Sequence, residues 1–263
     1  MDALQALLLG IVQGITEWLP ISSSGHLVIA QELLGMDASE NLVFDLAVHM
    51  GTLLAVCVFF RRELARILMA LFRPGDRGEE ARGLRRLALL LALGTVPVAA
   101  VGFALSDRME DVFTLPLVGA ALVVNAAVLF LSERVGRGGV RRDAGVRDAV
   151  VAGLMQAASI VPGISRSGST ISGGMLSGLE KEAAATFALL LSVPALIGAF
   201  GYGVATLDRY DADLVTLAIG AVAAFATGFV SIGYLLKAVK ARRLWLFSVY
   251  CAALGAAVLV LSL

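Results

Sequence analysis

Of the 263 residues, 59% are Ala, Val, Ile, Leu, Met, Phe, Trp, Tyr or Cys and only 16% are charged. Soluble domains carry roughly 25% charge, so the chain reads as a membrane protein. Its 21 basic and 21 acidic residues cancel, which excludes a polyanion-binding surface spread over the molecule, and nucleic acid with it. Cys57 and Cys251 each lie in an apolar stretch, giving neither a disulfide framework nor a zinc spacing.

The N-terminus opens Met-Asp-Ala-Leu with no Lys or Arg before the first apolar run, so no cleaved signal peptide is expected. The first apolar region, residues 3–35, is broken by Pro20-Ile-Ser-Ser-Ser-Gly25. A spanning helix should continue there, so the region reads as a re-entrant hairpin that leaves by the face it entered. Three predicted spans come next, at 42–60, 87–105 and 112–132. A second broken region, 146–178, is interrupted by Pro162-Gly-Ile-Ser-Arg-Ser-Gly168, and spans at 183–206, 212–236 and 244–262 complete the chain. The expected fold is one all-α integral membrane domain over 1–263, with six transmembrane helices and two re-entrant helix-loop-helix hairpins.

Charge placement orients these spans. Residues 61–86, 133–148, the turn at Lys181 and 237–243 carry eight, five, one and four basic residues, 18 of the 21. The opposite loops hold Arg108 and Arg209 among Glu40, Asp107, Glu110, Asp111, Asp208, Asp211 and Asp213. The positive-inside rule puts the first group in the cytoplasm and both termini outside it. Shifted by 143, the sequence matches itself at Gly10/Gly153, Gln13/Gln156, Ile21/Ile164, Ser22/Ser165, Ser24/Ser167, Gly25/Gly168, Leu33/Leu176 and Gly35/Gly178. Two halves, 1–133 and 146–263, each of one hairpin and three spans, make an inverted repeat in which broken helices meet near mid-bilayer.

Irregular backbone is tolerated only inside protein or beside a wet cavity, so the two breaks should face each other. Each leads into a helical limb, expected near His26 and near Ser169, whose first amides lack intrahelical partners. Ser22, Ser23, Ser24, Ser165, Ser167, Ser169 and Thr170 add hydroxyls, and Gly25 and Gly168 let a ligand approach the backbone. Two such ends suit a phosphate, although Ser and Gly also serve simply as caps and turns. The ionisable residues Glu17, His26 and Arg166 lie at these breaks, where charge is rare without function. Arg166 offers a planar fork for two phosphate oxygens; its structural reading is a counter-ion for Glu17. Gln13 and Glu17, four apart, share one helix face and can present oxygens to a hard divalent cation. His26, beside three hydroxyls, suits proton transfer. His49 stands in Ala47-Val-His-Met50 without a cluster around it and reads as a buried polar contact. Trp18 reads as hairpin packing and Trp245 as an interfacial anchor.

At these residues the sequence resembles the undecaprenyl-diphosphatases, also called bacitracin resistance proteins, over nearly its whole length. The family's Glu/Gln-x-x-x-Glu motif matches Gln13-Gly-Ile-Thr-Glu17, continued by Trp18-Leu-Pro-Ile-Ser-Ser-Ser-Gly-His26, and its Pro-Gly-x-Ser-Arg-Ser-x-x-Thr motif matches Pro162 to Thr170. The resemblance implies removal of the terminal phosphate of the C55 isoprenyl diphosphate, which recycles the lipid carrier of cell-wall polymers. It implies Glu17, His26, Ser23 and Arg166 as active-site residues, with Gln13, Ser22, Ser24, Ser165 and Thr170 in support. It also implies a Mg²⁺ or Ca²⁺ ion at Glu17 and Gln13, the latter a neutral variant of a position filled elsewhere by Glu. The same resemblance implies a bacterial plasma-membrane location with the site opening outward, and a homodimer is compatible with it. Ser23, His26 or water can each be the nucleophile. A phosphatidic-acid-type phosphatase would need a second His beyond Ser165-Arg166, and none occurs after His49. A carrier that flips a phosphorylated isoprenoid lipid is the competing class.

Overall fold

The computed structural model describes residues 1–36, 42–73, 75–106, 114–136, 139–206 and 213–262. Among the described residues there are eleven helices: α1 (Ala3–Trp18), α2 (Ser23–Leu33), α3 (Leu42–Phe59), α4 (Arg61–Phe72), α5 (Glu79–Leu105), α6 (Leu115–Val135), α7 (Val146–Ala158), α8 (Arg166–Leu176), α9 (Lys181–Thr206), α10 (Leu214–Lys240) and α11 (Leu244–Leu261). Helices α3, α5, α6, α9, α10 and α11 are long and apolar enough to cross a bilayer. These are the six predicted spans, with α5 beginning earlier, at Glu79, and α10 running on to Lys240. The acidic first turn of α5 and the basic last turn of α10 each complement the helix dipole, which lets both helices extend into charged sequence. The first residues of the predicted spans 112–132 and 212–236 lie outside the described residues, as do Arg108, Arg209, Glu40, Asp107, Glu110, Asp111, Asp208, Asp211 and Arg137.

Residues 61–86, read as a basic loop, are largely helical. In α4 the apolar residues Leu64, Ile67, Leu68 and Leu71 recur at helical spacing among Arg61, Arg62 and Arg66, and Ile67 and Ala70 are buried. The charge that marked the segment as a loop lies on the helix's other face.

Local chemistry sets the two broken regions. Asp2 caps α1, accepting from Gln5 N at 2.8 Å while Gln5 Oε1 accepts from Asp2 N at 2.9 Å. Helix α1 stops at Trp18 because Pro20 disfavours helical backbone at Leu19, which is extended at φ −70°, ψ 146°. The limbs beyond the breaks begin at Ser23 and Arg166, three residues before the positions expected. Ser22 and Ser165 cap them, accepting from Gly25 N at 3.4 Å and Gly168 N at 3.1 Å. Both limbs then end at a glycine of positive φ, Gly35 (66°) and Gly178 (103°), where a side chain would be strained.

Helix α1 packs along α10, and α7 packs along α5; α3 meets α9, and α6 meets α11. The approach is close. A Cβ on Gly10 would collide with the Gly220 carbonyl of α10, and one on Gly153 would lie 2.5 Å from the Gly94 oxygen of α5. Small residues that bring backbones together are the usual means of helix association where lipid removes the hydrophobic drive. The main buried cluster includes Trp18, Leu122, Ile171, Met175, Leu191 and Ile232, so both broken regions contribute to one core.

Candidate active site

The two breaks lie against one another. Gly163 N donates to Ser22 Oγ (3.1 Å), and Ser167 Oγ donates to the Leu19 carbonyl (3.1 Å). Asn125 of α6 joins them from the side, donating through Nδ2 to the Pro20 carbonyl (3.1 Å) and accepting from Ser165 N through Oδ1 (3.1 Å). It is fully buried. Both backbone groups belong to segments with no helical partner, so one amide satisfies a polar group in each break. The same pattern recurs on both sides: Ser22 and Ser24 hydroxyls are 3.3 Å apart, those of Ser165 and Ser167 3.1 Å.

Glu17, buried at the C-terminal turn of α1, is the centre of the polar cluster. Its Oε1 pairs directly with Nη2 of Arg166, from the first turn of α8. Its Oε2 accepts from Gln13 Nε2 (2.9 Å) and from Ser23 Oγ (2.5 Å). An acid, a hydroxyl and a guanidinium, 149 residues apart at the extremes, thus form one group. The counter-ion reading of Arg166 is met in this arrangement, with the other N–H groups of the planar fork left for further acceptors.

His26 is fixed at both ring nitrogens. Nδ1 lies 2.7 Å from the Ser22 carbonyl and Nε2 lies 2.7 Å from Tyr250 Oη. A carbonyl only accepts, so Nδ1 carries the proton and the Tyr250 hydroxyl donates to Nε2 in the neutral ring. The Tyr250 ring also stacks on it, centroids 5.7 Å apart. Ser22 has φ 71°, unusual without glycine; the His26 bond to its carbonyl helps to hold it. Thr170 Oγ1 donates back to the Arg166 carbonyl at 2.8 Å, steadying the turn that bears the guanidinium.

Three residues of this neighbourhood are not evident from motif spacing. Asn125 and Tyr250 come from α6 and α11. His49, read as an isolated buried contact, stands with Nε2 3.9 Å from Glu17 Oε2 and its side chain one-third exposed. Its Nδ1 donates to the Asp45 carbonyl at 2.7 Å, so Nε2 is the ring nitrogen that faces the site. The isolation expected for His49 fails because its neighbour is supplied by α1, across a tertiary contact. A lone Asn and a lone His inside apolar spans are the signals the sequence offers for two of them.

The oxygen set suits a hard cation. Gln13 Oε1 is buried without a hydrogen-bond partner, beside the Glu17 carboxylate and the Ser23 hydroxyl. Among the described residues no three His, Cys, Asp or Glu side chains cluster as a metal cage. Protein donors here would therefore share an ion with phosphate oxygens and water, the usual habit of Mg²⁺.

Known proteins resemble the chain over nearly its whole length. The chain is 43% identical over 259 residues to an undecaprenyl-diphosphatase of Syntrophotalea carbinolica, covering 97% of each chain. A protein of the same name from Korarchaeum cryptofilum is 40% identical over 266 residues, 99% of this chain and 100% of that one. One from Rubrobacter xylanophilus is 41% identical over 270 residues, 100% and 99%. The family model described as bacitracin resistance protein BacA matches residues 6–257, both breaks included. The chain belongs to the BacA family of bacitracin resistance proteins.

Proposed function

We propose that the chain hydrolyses undecaprenyl diphosphate to undecaprenyl phosphate and inorganic phosphate, returning the lipid carrier to cell-wall polymer synthesis. The observation that carries this is the Glu17–Ser23–Arg166 group, assembled from one helix end and two helix starts inside an apolar bundle. Ser23 Oγ attacks the terminal phosphorus as its proton passes to Glu17 Oε2. The bond from phosphorus to the bridging oxygen breaks, and the prenyl monophosphate leaves with the proton that Glu17 hands on to it. Water then attacks the phosphoserine and gives its proton to Glu17, the phosphorus–Oγ bond breaks, and Glu17 returns that proton to Ser23 Oγ as phosphate is released. Arg166 keeps one N–H on Glu17 and turns the rest of its fork to the equatorial oxygens, the charge stabilisation that dominates phosphoryl transfer. First-turn amides of α2 and α8 that Ser22 and Ser165 do not engage add to it, while Gly25 and Gly168 let the two breaks pack closely, since a Cβ on either would press on Gly163 or Pro20 at 3.2 Å. His26 and Tyr250 brace Ser22. A divalent cation held by Gln13, Glu17 and the substrate supplies further positive charge on the phosphate oxygens when bound.

The same reading extends to the membrane. We infer that α1–α2 and α7–α8 are re-entrant hairpins in an inverted repeat. Supporting this, α1 packs on α10 as α7 packs on α5, and α6 meets its counterpart α11 as α3 meets α9. Repeat-related Gly10 and Gly153 stand at equivalent close approaches. Both termini and the opening of the site lie on the non-cytoplasmic side of the bacterial plasma membrane, a reading that charge placement supports for the termini alone, and a homodimer is compatible with it.

The test is phosphate release from the C55 diphosphate by purified protein in detergent, with and without chelator, and then trapping of phosphoenzyme. Release abolished by chelator, with phosphate on Ser23, is the expected result. Phosphate on His26 would replace the nucleophile. No release, together with movement of intact lipid between vesicle leaflets, would make the protein a carrier.

A further inference from the structure

We infer a second phosphate-recognition site, for the headgroup of an anionic phosphoglycerol membrane lipid, where α6 ends, α9 begins and α10 turns into α11. A cavity of about 400 Å³ there is lined by Phe130, Glu133, Arg134, Lys181, Arg242 and Trp245. It lies eight residues beyond Asn125 along α6, about 12 Å at 1.5 Å per residue, so it is distinct from the Glu17 cluster.

Three cations and one carboxylate line this cavity, an excess of two positive charges in an otherwise apolar wall. Lys181 Nζ pairs with Glu133 Oε1 at 3.1 Å, with Glu133 buried and Lys181 partly so. That pair accounts for one cation. The Arg134 guanidinium lies 4.7 Å above the Phe130 ring, a contact that leaves its N–H edge available. Arg242 sits in the turn between α10 and α11 with φ 55°, exposed beside the cavity. Two guanidiniums therefore remain for an anion with planar pairs of oxygens, which a phosphodiester supplies.

The second observation is an orphan acceptor. Glu133 Oε2 is buried and has no hydrogen-bond partner, an arrangement that ordinarily costs stability. A ligand with a hydroxyl beside its phosphate relieves it, and the glycerol of a phosphoglycerol headgroup has that hydroxyl. A lipid is favoured over a soluble anion by the setting. Trp245, half exposed in the first turn of α11, and Phe130, 44% exposed, flank the cavity at the charged end of the apolar helices α6 and α11, where aromatic residues commonly meet headgroups. Lys237, Lys240 and Arg243 in the adjoining turn raise the local positive potential.

The experiment is lipid retention by the full chain, measured by native mass spectrometry after exchange into phosphatidylglycerol, phosphatidylmethanol or phosphatidylcholine. Phosphatidylmethanol keeps the anionic phosphodiester and lacks the hydroxyls. The unmodified protein should retain phosphatidylglycerol roughly tenfold better than phosphatidylcholine, and better than phosphatidylmethanol. Arg134→Gln with Arg242→Gln should erase the preference over phosphatidylcholine while leaving diphosphatase turnover unchanged, which also shows that the variant is folded. Equal retention of all three lipids, or an unchanged preference in the double variant, overturns the site. Equal retention of the two anionic lipids overturns the part given to Glu133. Displacement of the lipid by millimolar inorganic phosphate would assign the cavity to a soluble anion instead.

Discussion

The two breaks share a backbone plan and divide the chemistry. Offset by 143, Ser22 and Ser165 both cap a limb, and Gly25 and Gly168 both donate to that cap. At the polar cluster the identities part: Ser23 stands in register with Arg166, Glu17 with Ile160, and His26 with Ser169. The first break supplies the acid and hydroxyl, the second the cation. Gln13 and Gln156 carry the consequence of that division. Gln13 donates to Glu17, whereas Gln156, with no acid one turn on, is buried with neither side-chain polar atom partnered. Two breaks can thus share their turn chemistry while only one of them carries an acid.

This division breaks most sharply at Glu17. Glu17→Gln removes the proton acceptor of Ser23 and the anion that Arg166 faces, and turnover in detergent should fall about 10²- to 10³-fold, the scale of losing a strong transition-state contact. Retained turnover would move the base role elsewhere. Arg166→Lys keeps the charge of the second break but not its fork, and a loss of about tenfold or more is expected in kcat, measured as phosphate release at saturating substrate. Near-normal rates would reduce the guanidinium to a point charge. Asn125→Ala severs the amide that serves both breaks and strands the Pro20 carbonyl and Ser165 N–H in the interior. Destabilisation by about 1–3 kcal/mol for each stranded group should appear as a lower melting temperature, with turnover falling alongside. Asn125→Asp, which keeps one acceptor, should recover part of it.

The smallest effect concerns how the second broken region is anchored. Asp148, buried in the first turn of α7, accepts from Arg141 Nη1 and Nη2 at 2.8 Å each, from Ser177 Oγ and from Gly145 N. Burial alone would raise its pKa, but these bonds outweigh it and hold the carboxyl below its ordinary value. A depressed folded-state pKa gives stability that is present above the unfolded value, about 3.9, and is lost as pH falls below it toward the folded one. Thermal melts should therefore be insensitive to this group at neutral pH and decline below about pH 4. Asp148→Asn should show less of that acid decline, and an identical acid profile would remove the carboxylate from the account. The first break has no such anchor: its α1 is capped by the exposed Asp2–Gln5 box.

How far the fold and the site are legible in the residues depends on the range over which each signal acts. Six spans can be read because hydropathy is a property of about 20 consecutive residues. The breaks can be read because Pro and Gly act on their immediate neighbours. Helix α4 is hidden, since its Arg residues outweigh in composition what they leave to helical spacing. The starts of α2 and α8 lie three residues earlier than the residues suggest, because which of several adjacent serines caps is settled by geometry. Ser22 and Ser165 take that place by reaching the glycine amides three residues on.

The sequence by itself determined that the chain is an apolar helical bundle with two Ser- and Gly-rich interruptions carrying Glu17, His26 and Arg166, since each of these features is local. Only the tertiary structure decided that Glu17 binds Ser23 and Arg166 together, that Asn125 ties the two breaks, and that Tyr250 and His49 belong beside them. The reason is that a buried ionisable group takes whichever partner packing brings within about 3 Å, and that packing is fixed by helix crossings between residues distant in the chain.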